Sequence, residues 1–455
     1  MKYIYLYLLM VVPCFAGAQI ISTFAGCGTS CTGLGDGGPA TAAVILDPNC
    51  GFFDKYGNYY FGEGPGQRIR KIDTSGIIIT IAGTGTGGFA GDGFAATAAL
   101  LNTPGSVILD TSGNVYFVDL NNIRIRKIEV ASGIIKTIAG NGTNGFYGDG
   151  LPSTVSVLSA PSSICFDKHG NLYISDQNNY RVRKINPAGI ISTFAGSGGF
   201  SATGTGDGGQ ATNATFNMLA GLVSDKIGNI YISDANAAKV RKVDTFGIIT
   251  TVAGNGNYTY AGDGVPATNA QIDPIRLAID SSGNLIINDR VNDRVYRVDN
   301  ADILHTIAGT ASSTYGGDGG PATAASFDAC GVSFDPCWNL YIADLNNRRI
   351  RKITYNPTCD PYSHGHIDSA SLQTKEPVGG KIAIYPNPAY SSLTISSTQK
   401  IKQVIIANFM GEEVYTGVYD IEKAEVNIAG LPEGVFVVRV TDDEGSVTMS
   451  KIVKQ

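Results

Sequence analysis

Carboxylates recur at two fixed places along this chain, and acidic side chains arranged in this way could bind metal ions or act as general acids. One set lies inside Gly-Asp-Gly triplets, at Asp36, Asp92, Asp149, Asp207, Asp263 and Asp318. The other set ends a strand-like segment, at Glu63, Asp119, Asp176, Asp234, Asp289 and Asp344. Each set is therefore either a reactive site or part of a repeated framework.

The strand-ending acids are followed by basic residues at a constant distance. In the third copy Asp176 precedes Arg181, Arg183 and Lys184, and the other copies repeat this order, weakened to RVYRV in the fifth. Opposite charges repeated at one spacing usually satisfy each other as hydrogen-bonded ion pairs. We therefore interpret the pattern as structural, with each acid in a tight turn and paired with an arginine, rather than as a ring of catalytic acids.

The Gly-Asp-Gly triplets carry one carboxylate each, whereas calcium takes roughly six to eight oxygen ligands. A threonine follows each aspartate by five residues, at Thr41, Thr97, Thr154, Thr212, Thr268 and Thr323. A large apolar residue follows by nine, at Ile45, Leu101, Leu158, Phe216, Ile272 and Phe327. Residues four apart share one helix face, so the spacing predicts a helix of one to two turns held by an apolar anchor.

Local chemistry around the triplets fits a helix start. We expect the glycines to adopt positive φ and the aspartate to accept backbone N–H groups near the first turn. Prolines fall near the first helical positions, where they are tolerated, at Pro39, Pro152, Pro266 and Pro321.

The triplets recur every 55 to 58 residues and divide the chain up to about residue 354 into six copies of one unit. Each unit has four short segments rich in β-branched and aromatic residues, which is typical of a propeller blade. In the third copy these segments are 162–167, 171–176, 180–185 and 189–196. The last unit lacks a fourth strand after 348–353, and the chain supplies a spare one at 20–26. We therefore predict an all-β fold, a six-bladed β-propeller closed by the N-terminal strand.

The N-terminal residues 1–18 are typical of a secretory signal peptide cleaved before Gln19. Lys2 precedes an apolar run, and Ala16-Gly17-Ala18 offers small residues at the cleavage site. No other segment approaches the roughly 18 to 20 apolar residues of a spanning helix, so we expect no membrane span in the mature chain. With 39 acidic and 33 basic residues, the charge balance disfavours a nucleic-acid partner. We expect an exported monomer.

The repeat resembles a known family. The segment GNLYISDQNNYRVRKI (170–185) and its counterparts are similar to the NHL repeat, and TIAGNGTNGFYGDG (137–150) resembles the variety found in bacteria and in teneurins. The resemblance covers roughly residues 20–354, and the first copy departs from it at Glu63. It implies an NHL-repeat propeller over residues 19–354.

The end of the chain resembles a second family, the C-terminal sorting domain of type IX secretion substrates. The matching segments are IYPNPA (384–389), IIANFMGEEVY (405–415), LPEGVFVVRV (431–440) and SKIVK (450–454). We assign the sorting motif to Tyr385, Pro386, Asn387, Pro388, Gly411, Gly434 and Lys451. Alternating strands over 382–455 predict a small C-terminal β-sandwich, and the composition of 355–381 predicts a linker. The resemblance implies the type IX secretion machinery as a partner and delivery to the cell surface or outside the cell.

Enzymatic propellers similar to the NHL family, such as amidating lyases and lactonases, hold a divalent metal in the central channel through His, Glu, Asp or Asn of the innermost strands. Here those strands are mostly apolar or small, reading NCGFFD, GSVILD, SSICFD, AGLVSD, PIRLAID and CGVSFD. The four histidines fall in a turn, an outer strand and the linker, at His169, His305, His364 and His366. We therefore assign no catalytic residue, metal ligand or cofactor. A propeller lyase or hydrolase acting on polysaccharide or peptide remains the alternative.

Seven cysteines follow the signal peptide, and export makes them candidates for disulfides. The loops that lead into inner strands share one face of a propeller, and Cys50 and Cys330 begin inner strands of neighbouring blades. We predict three bonds and a buried free thiol: Cys27 with Cys31, Cys50 with Cys330, Cys337 with Cys359, and Cys165 unpaired.

Positions that differ between copies are better binding candidates than positions repeated six times. Aromatic residues precede the triplet at Phe89, Phe146, Tyr260 and Tyr315, and Tyr147, Phe200 and Tyr258 lie in the same loops. They could form an interaction surface, or they could pack each loop onto its own blade. We predict a non-enzymatic module that binds a surface protein or glycan, with a structural or adhesive surface protein as a further alternative.

Overall fold

The structure is a computed structural model of the 455-residue chain. It describes residues 19–260, 262–355, 382–385, 391–408, 413–431, 434–443 and 447–454. Contacts divide the chain into two compact units, with the division between residues 366 and 367. The predicted signal peptide 1–18 and residues 356–381 of the predicted linker lie outside the described residues.

Six antiparallel sheets make up the described part of the first unit, and we label the strands of each sheet a to d from the inner strand outward. Sheet 1 has strands Phe52–Phe53, Tyr59–Glu63, Arg68–Ile72 and Ile77–Ala82. Sheet 2 has strands Pro104–Leu109, Val115–Asp119, Arg124–Glu129 and Ile134–Ala139. Sheet 3 has strands Pro161–Phe166, Leu172–Asp176, Arg181–Ile185 and Ile191–Ala195. Sheet 4 has strands Leu219–Ser224, Ile230–Asp234, Lys239–Val243 and Ile249–Ala253. Sheet 5 has strands Pro274–Ile279, Leu285–Asp289, Arg294–Val298 and Ile303–Ala308.

Sheet 6 combines both ends of the repeat region. Its strands a, b and c are Ala329–Phe334, Leu340–Asp344 and Arg349–Thr354, and its strand d is the N-terminal segment Ile20–Ala25. Ile21 pairs with Ile353 across this ladder, and both side chains are fully buried. The first strand of the chain therefore supplies the fourth strand of the last sheet.

Inner strands of successive sheets contact each other, and those of sheets 1 and 6 do so as well. The N–H of Val107 in sheet 2 donates to the carbonyl of Cys50 at the start of sheet 1, 3.3 Å away. On the other side of sheet 1, the thiol of Cys330 donates to the carbonyl of Pro48 at 3.1 Å. The six inner strands thus border one common interior.

A single turn of 3-10 helix follows each Gly-Asp-Gly triplet, which is the lower limit of the predicted one-to-two-turn helix. These turns are Ala40–Ala42, Ala96–Ala98, Ser153–Val155, Ala211–Asn213, Ala267–Asn269 and Ala322–Ala324. In the second copy the N–H of Ala96 donates to Gly133 at 2.8 Å, and its carbonyl accepts from Gly83 at 3.0 Å. Because neighbouring segments take these groups and Ala95 and Ala99 are extended, the turn cannot continue as a helix. Further 3-10 turns join strands b and c at Leu120–Asn122, Gln177–Asn179 and Ala235–Ala237.

The segment that carries each triplet covers the outer strand of the sheet that follows it. Gly38–Pro39 pairs with strand d of sheet 1, Val265–Pro266 pairs with strand d of sheet 5, and Ala95 bridges to Ile134 in sheet 2. Covering an edge strand removes exposed pairing groups. Gly91 turns the chain here with φ of 92°, where a Cβ would lie 2.8 Å from the Cα of Ala99. The apolar anchors nine residues after each aspartate are fully buried, as the spacing predicted.

The second unit is one five-stranded antiparallel sheet in its described part. Its strands are Ile382–Tyr385, Ser392–Asn408, Glu413–Asn427, Gly434–Asp442 and Val447–Lys454. Ser392–Asn408 is long enough to pair with three other strands, and it buries Leu393, Ile395 and Ile406 in the core of this unit. Across the described ranges, no helix has the length and apolar character required to span a membrane.

Candidate functional site

A fully buried arginine in strand c holds two carboxylates together in most sheets. In sheet 3, Arg183 donates to Asp176, which ends strand b, at 3.3 Å and to Asp149 of the Gly-Asp-Gly triplet at 2.6 Å. Equivalent pairs are Arg70 with Glu63 and Asp36, Arg126 with Asp119 and Asp92, and Arg351 with Asp344 and Asp318. Arg241 in sheet 4 bonds Asp207 at 2.6 Å. The ion pairs expected for the strand-ending acids are thus present inside individual sheets.

The triplet aspartates have a different partner from the one expected. Instead of accepting N–H groups at a helix start, Asp149 accepts from the Arg183 guanidinium and from the hydroxyl of Thr193 in strand d at 2.7 Å. The short 3-10 turn offers no helix N-terminus to bind a carboxylate, whereas the guanidinium below it needs a second acceptor. In sheet 5 a tyrosine, Tyr296, replaces the arginine, and Asp263 accepts from the N–H of Thr306.

The pKa is shifted in opposite directions at a buried strand-ending acid of sheet 3 and at the triplet aspartate of sheet 4. Burial raises the pKa of Asp176 to about 6, because hydrogen bonds from Asn179 and Ser159 and the charge of Arg183 only partly offset desolvation. For Asp207, hydrogen bonds from Thr251 and Arg241 outweigh partial desolvation and lower the pKa. Asp176 is fully buried and therefore has no access to a ligand. These clusters are structural, and the exposed loops above them are where a ligand could bind.

Aromatic rings cover the arginines at that exposed edge. Phe89 lies over Arg124, with 3.7 Å between ring centroid and guanidinium carbon, and 4.9 Å from Arg126. The same arrangement recurs with Phe146 over Arg181 at 3.9 Å, Tyr315 over Arg349 at 3.8 Å and Tyr260 over Arg294 at 4.0 Å. Phe89, Phe146 and Tyr315 each retain 42% exposure. The rings thus pack onto their own sheets and still present surface to solvent.

Neighbouring aromatics are more exposed. Tyr147 is 58% exposed, and Phe200 is 60% exposed with its ring 5.7 Å from that of Tyr180. The hydroxyl of Tyr258 donates to the carbonyl of Asn236. Among the described residues, no ring contact joins the stack of one sheet to the stack of another. The sequence-predicted residues therefore form repeated positions rather than one pocket.

The sequence interpretation missed the arginines beneath the rings. Arg124, Arg181, Arg294 and Arg349 each begin strand c, two residues before the position of the buried arginine or its tyrosine replacement. Arg124 donates to the carbonyls of Asn122 and Asn141, both at 2.7 Å, and is fixed in place under Phe89. The sequence indicated these arginines through the repeated pattern of two basic residues, two positions apart, at the start of strand c.

The inner strands of all six sheets line a cavity of about 270 Å³. Four residues before the aspartate that ends each inner segment, the side chains are Cys50, Ser106, Ser163, Gly221, Arg276 and Gly331. The hydroxyls of Ser106 and Ser163 each accept an N–H from the next inner strand at 3.2 Å. Of the described residues that line this cavity, Arg276 is the one that carries a charge. Within the part of the chain that the structure describes, no three His, Cys, Asp or Glu side chains converge as metal ligands.

The cysteines partly follow the prediction. Cys27 and Cys31 form a disulfide, and Cys165 is a buried free thiol, as expected. Cys337 is disulfide-bonded, and its predicted partner Cys359 lies outside the described residues.

The predicted Cys50–Cys330 bond is absent, because both thiols are free. Cys50 stands four residues before the aspartate that ends its strand, and Cys330 stands five before its own. The strand that carries Cys330 is irregular at this residue, because its pairing shifts between Ala329 and Gly331. Each thiol instead donates to a carbonyl of the opposite strand, Cys50 to Val332 at 3.5 Å and Cys330 to Pro48 at 3.1 Å.

The sorting-motif residues lie along the second unit where the structure describes them. Tyr385 pairs with Thr394, Gly434 with Lys454, and Lys451 with Val437 in the strand ladders. Pro386, Asn387, Pro388 and Gly411 lie outside the described residues.

Curated relatives match parts of the repeat region. Protein SUPPRESSOR OF QUENCHING 1, chloroplastic, from Arabidopsis thaliana is 26% identical over 61% of this chain and 27% of its own length. Teneurin-1 from Gallus gallus is 27% identical over 54% of this chain and 10% of its own length. The chain spans about a quarter or less of these proteins.

Solved structures of similar fold come from Bacteroides. An auxiliary nutrient binding protein from Bacteroides ovatus has a TM-score of 0.54 at 15% identity, covering 74% of this chain and 76% of its own. A protein of unknown function from Bacteroides thetaiotaomicron has a TM-score of 0.53 at 19% identity, covering 74% of this chain and 75% of its own. At these identities the likeness concerns the fold alone.

Family models match two separate parts of the chain. Residues 198–312 match the Teneurin NHL domain, and residues 383–455 match the secretion system C-terminal sorting domain. A tail of this family directs its chain through type IX secretion to the cell surface or outside the cell. The chain therefore combines a segment similar to the Teneurin NHL domain with a segment similar to the secretion system C-terminal sorting domain.

Proposed function

We propose that this chain is an exported, non-enzymatic binding module for a surface protein or glycan. Residues 19–354 would form a closed six-bladed propeller, joined by a linker at 355–381 to the sorting domain at 382–455, after removal of a signal peptide at 1–18. Six sheets around one interior, with the last sheet completed by Ile20–Ala25, support this architecture. The type IX secretion machinery is the partner for export.

One observation carries the binding role: half-exposed aromatic rings are held in fixed positions on arginines. Phe89, Phe146 and Tyr315 each have a guanidinium within 4 Å of the ring centroid. An isolated exposed ring loses side-chain freedom on binding, whereas a stacked ring is already ordered. The rings offer flat apolar surface, and the guanidinium beside each offers charge, a combination enriched at binding hot spots.

The aromatic rings before the Gly-Asp-Gly triplets are not needed to complete the ion pairs beneath them. In sheets 1, 2, 3 and 6 the buried arginine of strand c already bonds two carboxylates, so its charge is compensated without a ring above it. In sheets 1 and 4 the same place is a glycine, and Arg70 and Arg241 still bond their triplet aspartates. The rings are therefore an addition to an ion pair that also forms in sheets without them.

The proposal is tested with a triple variant, Phe89→Ala/Phe146→Ala/Tyr315→Ala. A matched control removes three exposed apolar side chains from turns that join strands a–b or c–d: Val130→Ala/Ile227→Ala/Phe246→Ala. Each purified chain is sedimented with outer-membrane vesicles and with insoluble envelope glycan from the producing cells. We expect the wild type and the control to bind one fraction, and the aromatic variant to bind it at least about tenfold more weakly.

Two results would contradict this role. The first is retention of the wild type by neither fraction above the level of an unrelated propeller. The second is equal retention of the aromatic variant and the wild type. Retention by vesicles alone would identify a protein or lipid-linked partner, and retention by glycan alone would identify a polysaccharide.

A further inference from the structure

Arg276 interrupts a ring of small residues around the central cavity. The equivalent positions in the other five inner strands are occupied by two glycines, two serines and a cysteine. Gly221, in the neighbouring strand of sheet 4, leaves space for it, since a Cβ there would lie 2.9 Å from the Cα of Arg276. The Arg276 side chain passes sheet 4 and reaches the carbonyl of Ser162 in sheet 3 at 3.3 Å.

This guanidinium has no carboxylate partner among the described residues. Its other hydrogen bond goes to the carbonyl of Ile275, also at 3.3 Å, and its Nε atom is buried without a partner. The buried arginines of the strands c, by contrast, each bond at least one carboxylate. An arginine stays charged at any working pH, and a cation facing a largely apolar cavity is costly unless an anion compensates it.

The cavity has the size and walls for a small organic anion. Its volume of about 270 Å³ lies below the roughly 300 to 1,000 Å³ of sites for drug-sized ligands. Aliphatic side chains such as Val107, Ile164, Leu222 and Val332 form much of its lining. At one end the ring of Trp338 lies 5.7 Å from that of Phe334, and Trp338 is 40% exposed. Solvent therefore reaches this end.

A second cation stands near Trp338. The exposed Lys226 places its Nζ 6.0 Å from the centroid of the Trp338 ring and donates to the carbonyl of Ser281 at 3.3 Å. Arg276 also acts electrostatically on the thiols of Cys50 and Cys330, whose pKa burial raises and the arginine lowers in part. Both thiols are therefore within electrostatic range of Arg276, and Cys330 is also within range of the carboxylates of Asp328 and Asp344.

We propose that the central cavity binds a small monocarboxylate, with the carboxylate on Arg276 and the carbon chain against the aliphatic walls. The carboxylate would take the place that an acidic side chain occupies in the strand-c clusters, and the bond would be charge-assisted. Lys226 attracts the anion toward the opening. This site is separate from the aromatic positions of the proposed function.

Trp338 provides the readout, because it is the chain's only tryptophan and lines the cavity. The full chain is titrated with butyrate and, in parallel, with butyramide, its neutral counterpart of nearly equal size. We expect butyrate to change the Trp338 emission in a saturable manner and to raise the unfolding temperature, and butyramide to do so at least about tenfold more weakly. Equal responses to the two compounds would overturn the proposal, and this comparison requires no variant.

Variants of Arg276 then test whether its guanidinium binds the carboxylate. Arg276→Met should weaken butyrate binding at least about tenfold, and Arg276→Lys should restore part of it. Lys168→Met, which removes one exposed charge in the a–b turn of sheet 3, should bind butyrate as the wild type does. If Arg276→Met binds butyrate as tightly as Lys168→Met does, the guanidinium is only a brace between strands and the proposal fails.

Discussion

The ring of Phe146 lies over the guanidinium of Arg181, with 3.9 Å between the ring centroid and the guanidinium carbon. Arg181 is fixed from below by the carbonyls of Asn179 and Ser197, at 3.1 and 2.7 Å. The loop before the Gly-Asp-Gly triplet is therefore attached to strand c through this contact, in addition to the buried ion pair beneath it. Each attachment makes a separate contribution to stability.

Phe146→Ala should lower the free energy of unfolding by about 1 to 2 kcal/mol, because the cation–π contact and part of the ring's buried area are lost. Phe246→Ala is the matched control, since Phe246 is 84% exposed in a c–d turn. The control should change the free energy of unfolding by less than about 0.5 kcal/mol. Urea unfolding measures both, and equal effects would show that the stack contributes nothing.

Removing the arginine of a buried cluster should be far more damaging than removing its outer acid. Arg183→Met leaves Asp176 fully buried without its cation, and should cost about 3 to 5 kcal/mol. Asp149→Asn keeps an acceptor for Arg183 at a half-exposed position, and should cost about 1 kcal/mol. Thermal or urea unfolding gives the order. If Asp149→Asn proved as destabilising as Arg183→Met, the inner pair would not be the principal interaction.

Buried Asp234 should make stability fall as the pH rises through 6. Its Oδ1 accepts N–H groups from Asn217 and Met218, at 2.8 and 3.1 Å, while its Oδ2 is buried without a partner. Burial outweighs these bonds and raises the pKa to about 6, above the value of about 3.9 for an unfolded chain. Between about pH 4 and 6 the folded chain keeps a proton on Asp234 that the unfolded chain has released. The free energy of unfolding therefore falls as the pH rises through this range, and the stabilisation is lost above it.

Asp234→Asn stays neutral at every pH and should flatten the unfolding free energy between about pH 4 and 7. Asp207→Asn serves as a comparison in the same sheet, because the pKa of Asp207 is lowered and its stabilisation is lost only as the pH falls toward 4 and below. Urea titrations at fixed ionic strength and at a series of pH values would measure the pH range in which each aspartate affects the free energy of unfolding. An unchanged slope for Asp234→Asn between pH 4 and 7 would refute the assignment.

The cysteines should separate into two chemical groups. The Cys27–Cys31 bond closes a loop of four-residue separation, so Cys27→Ser/Cys31→Ser should lower stability by about 2 kcal/mol. Cys50, Cys165 and Cys330 should alkylate slowly in the folded chain and rapidly in denaturant, because burial raises the pKa of each thiol. Mass spectrometry of alkylated, non-reduced digests distinguishes the groups, and a peptide cross-linked through Cys50 and Cys330 would contradict the free thiols.

Features that repeat were predictable from the sequence, because six copies average out local ambiguity. The strands of each sheet and the burial of anchors such as Leu101 followed from one spacing. The helix after each triplet is limited to one 3-10 turn, since Ala99 is extended and the carbonyl of Ala96 also accepts from Gly83, a contact that arises only in three dimensions. A repeat therefore predicts which residues are buried better than it predicts how the backbone between strands is hydrogen-bonded.

Features that occur once were harder to predict. Cys50 and Cys330 begin inner strands of neighbouring sheets, but whether their sulfurs meet depends on side-chain orientation, and each thiol is directed to a backbone carbonyl. Arg276 is visible as the one basic residue in PIRLAID, yet its lack of an acidic partner among the described residues depends on every strand around the cavity. Single-site chemistry of this kind requires the packed structure.

Deleting residues 382–455 should stop export without unfolding the repeat region. The two units have separate cores, and the buried cluster around Leu393, Ile406 and Val438 contains residues of the second unit only. We expect the truncated chain to accumulate in the periplasm with the unfolding midpoint of its propeller unchanged, whereas the full chain reaches the cell surface or medium. Cell fractionation with immunodetection follows the location, and circular dichroism of the purified fragment follows the fold. Appearance of the truncated chain outside the cell would show that the tail is dispensable for export.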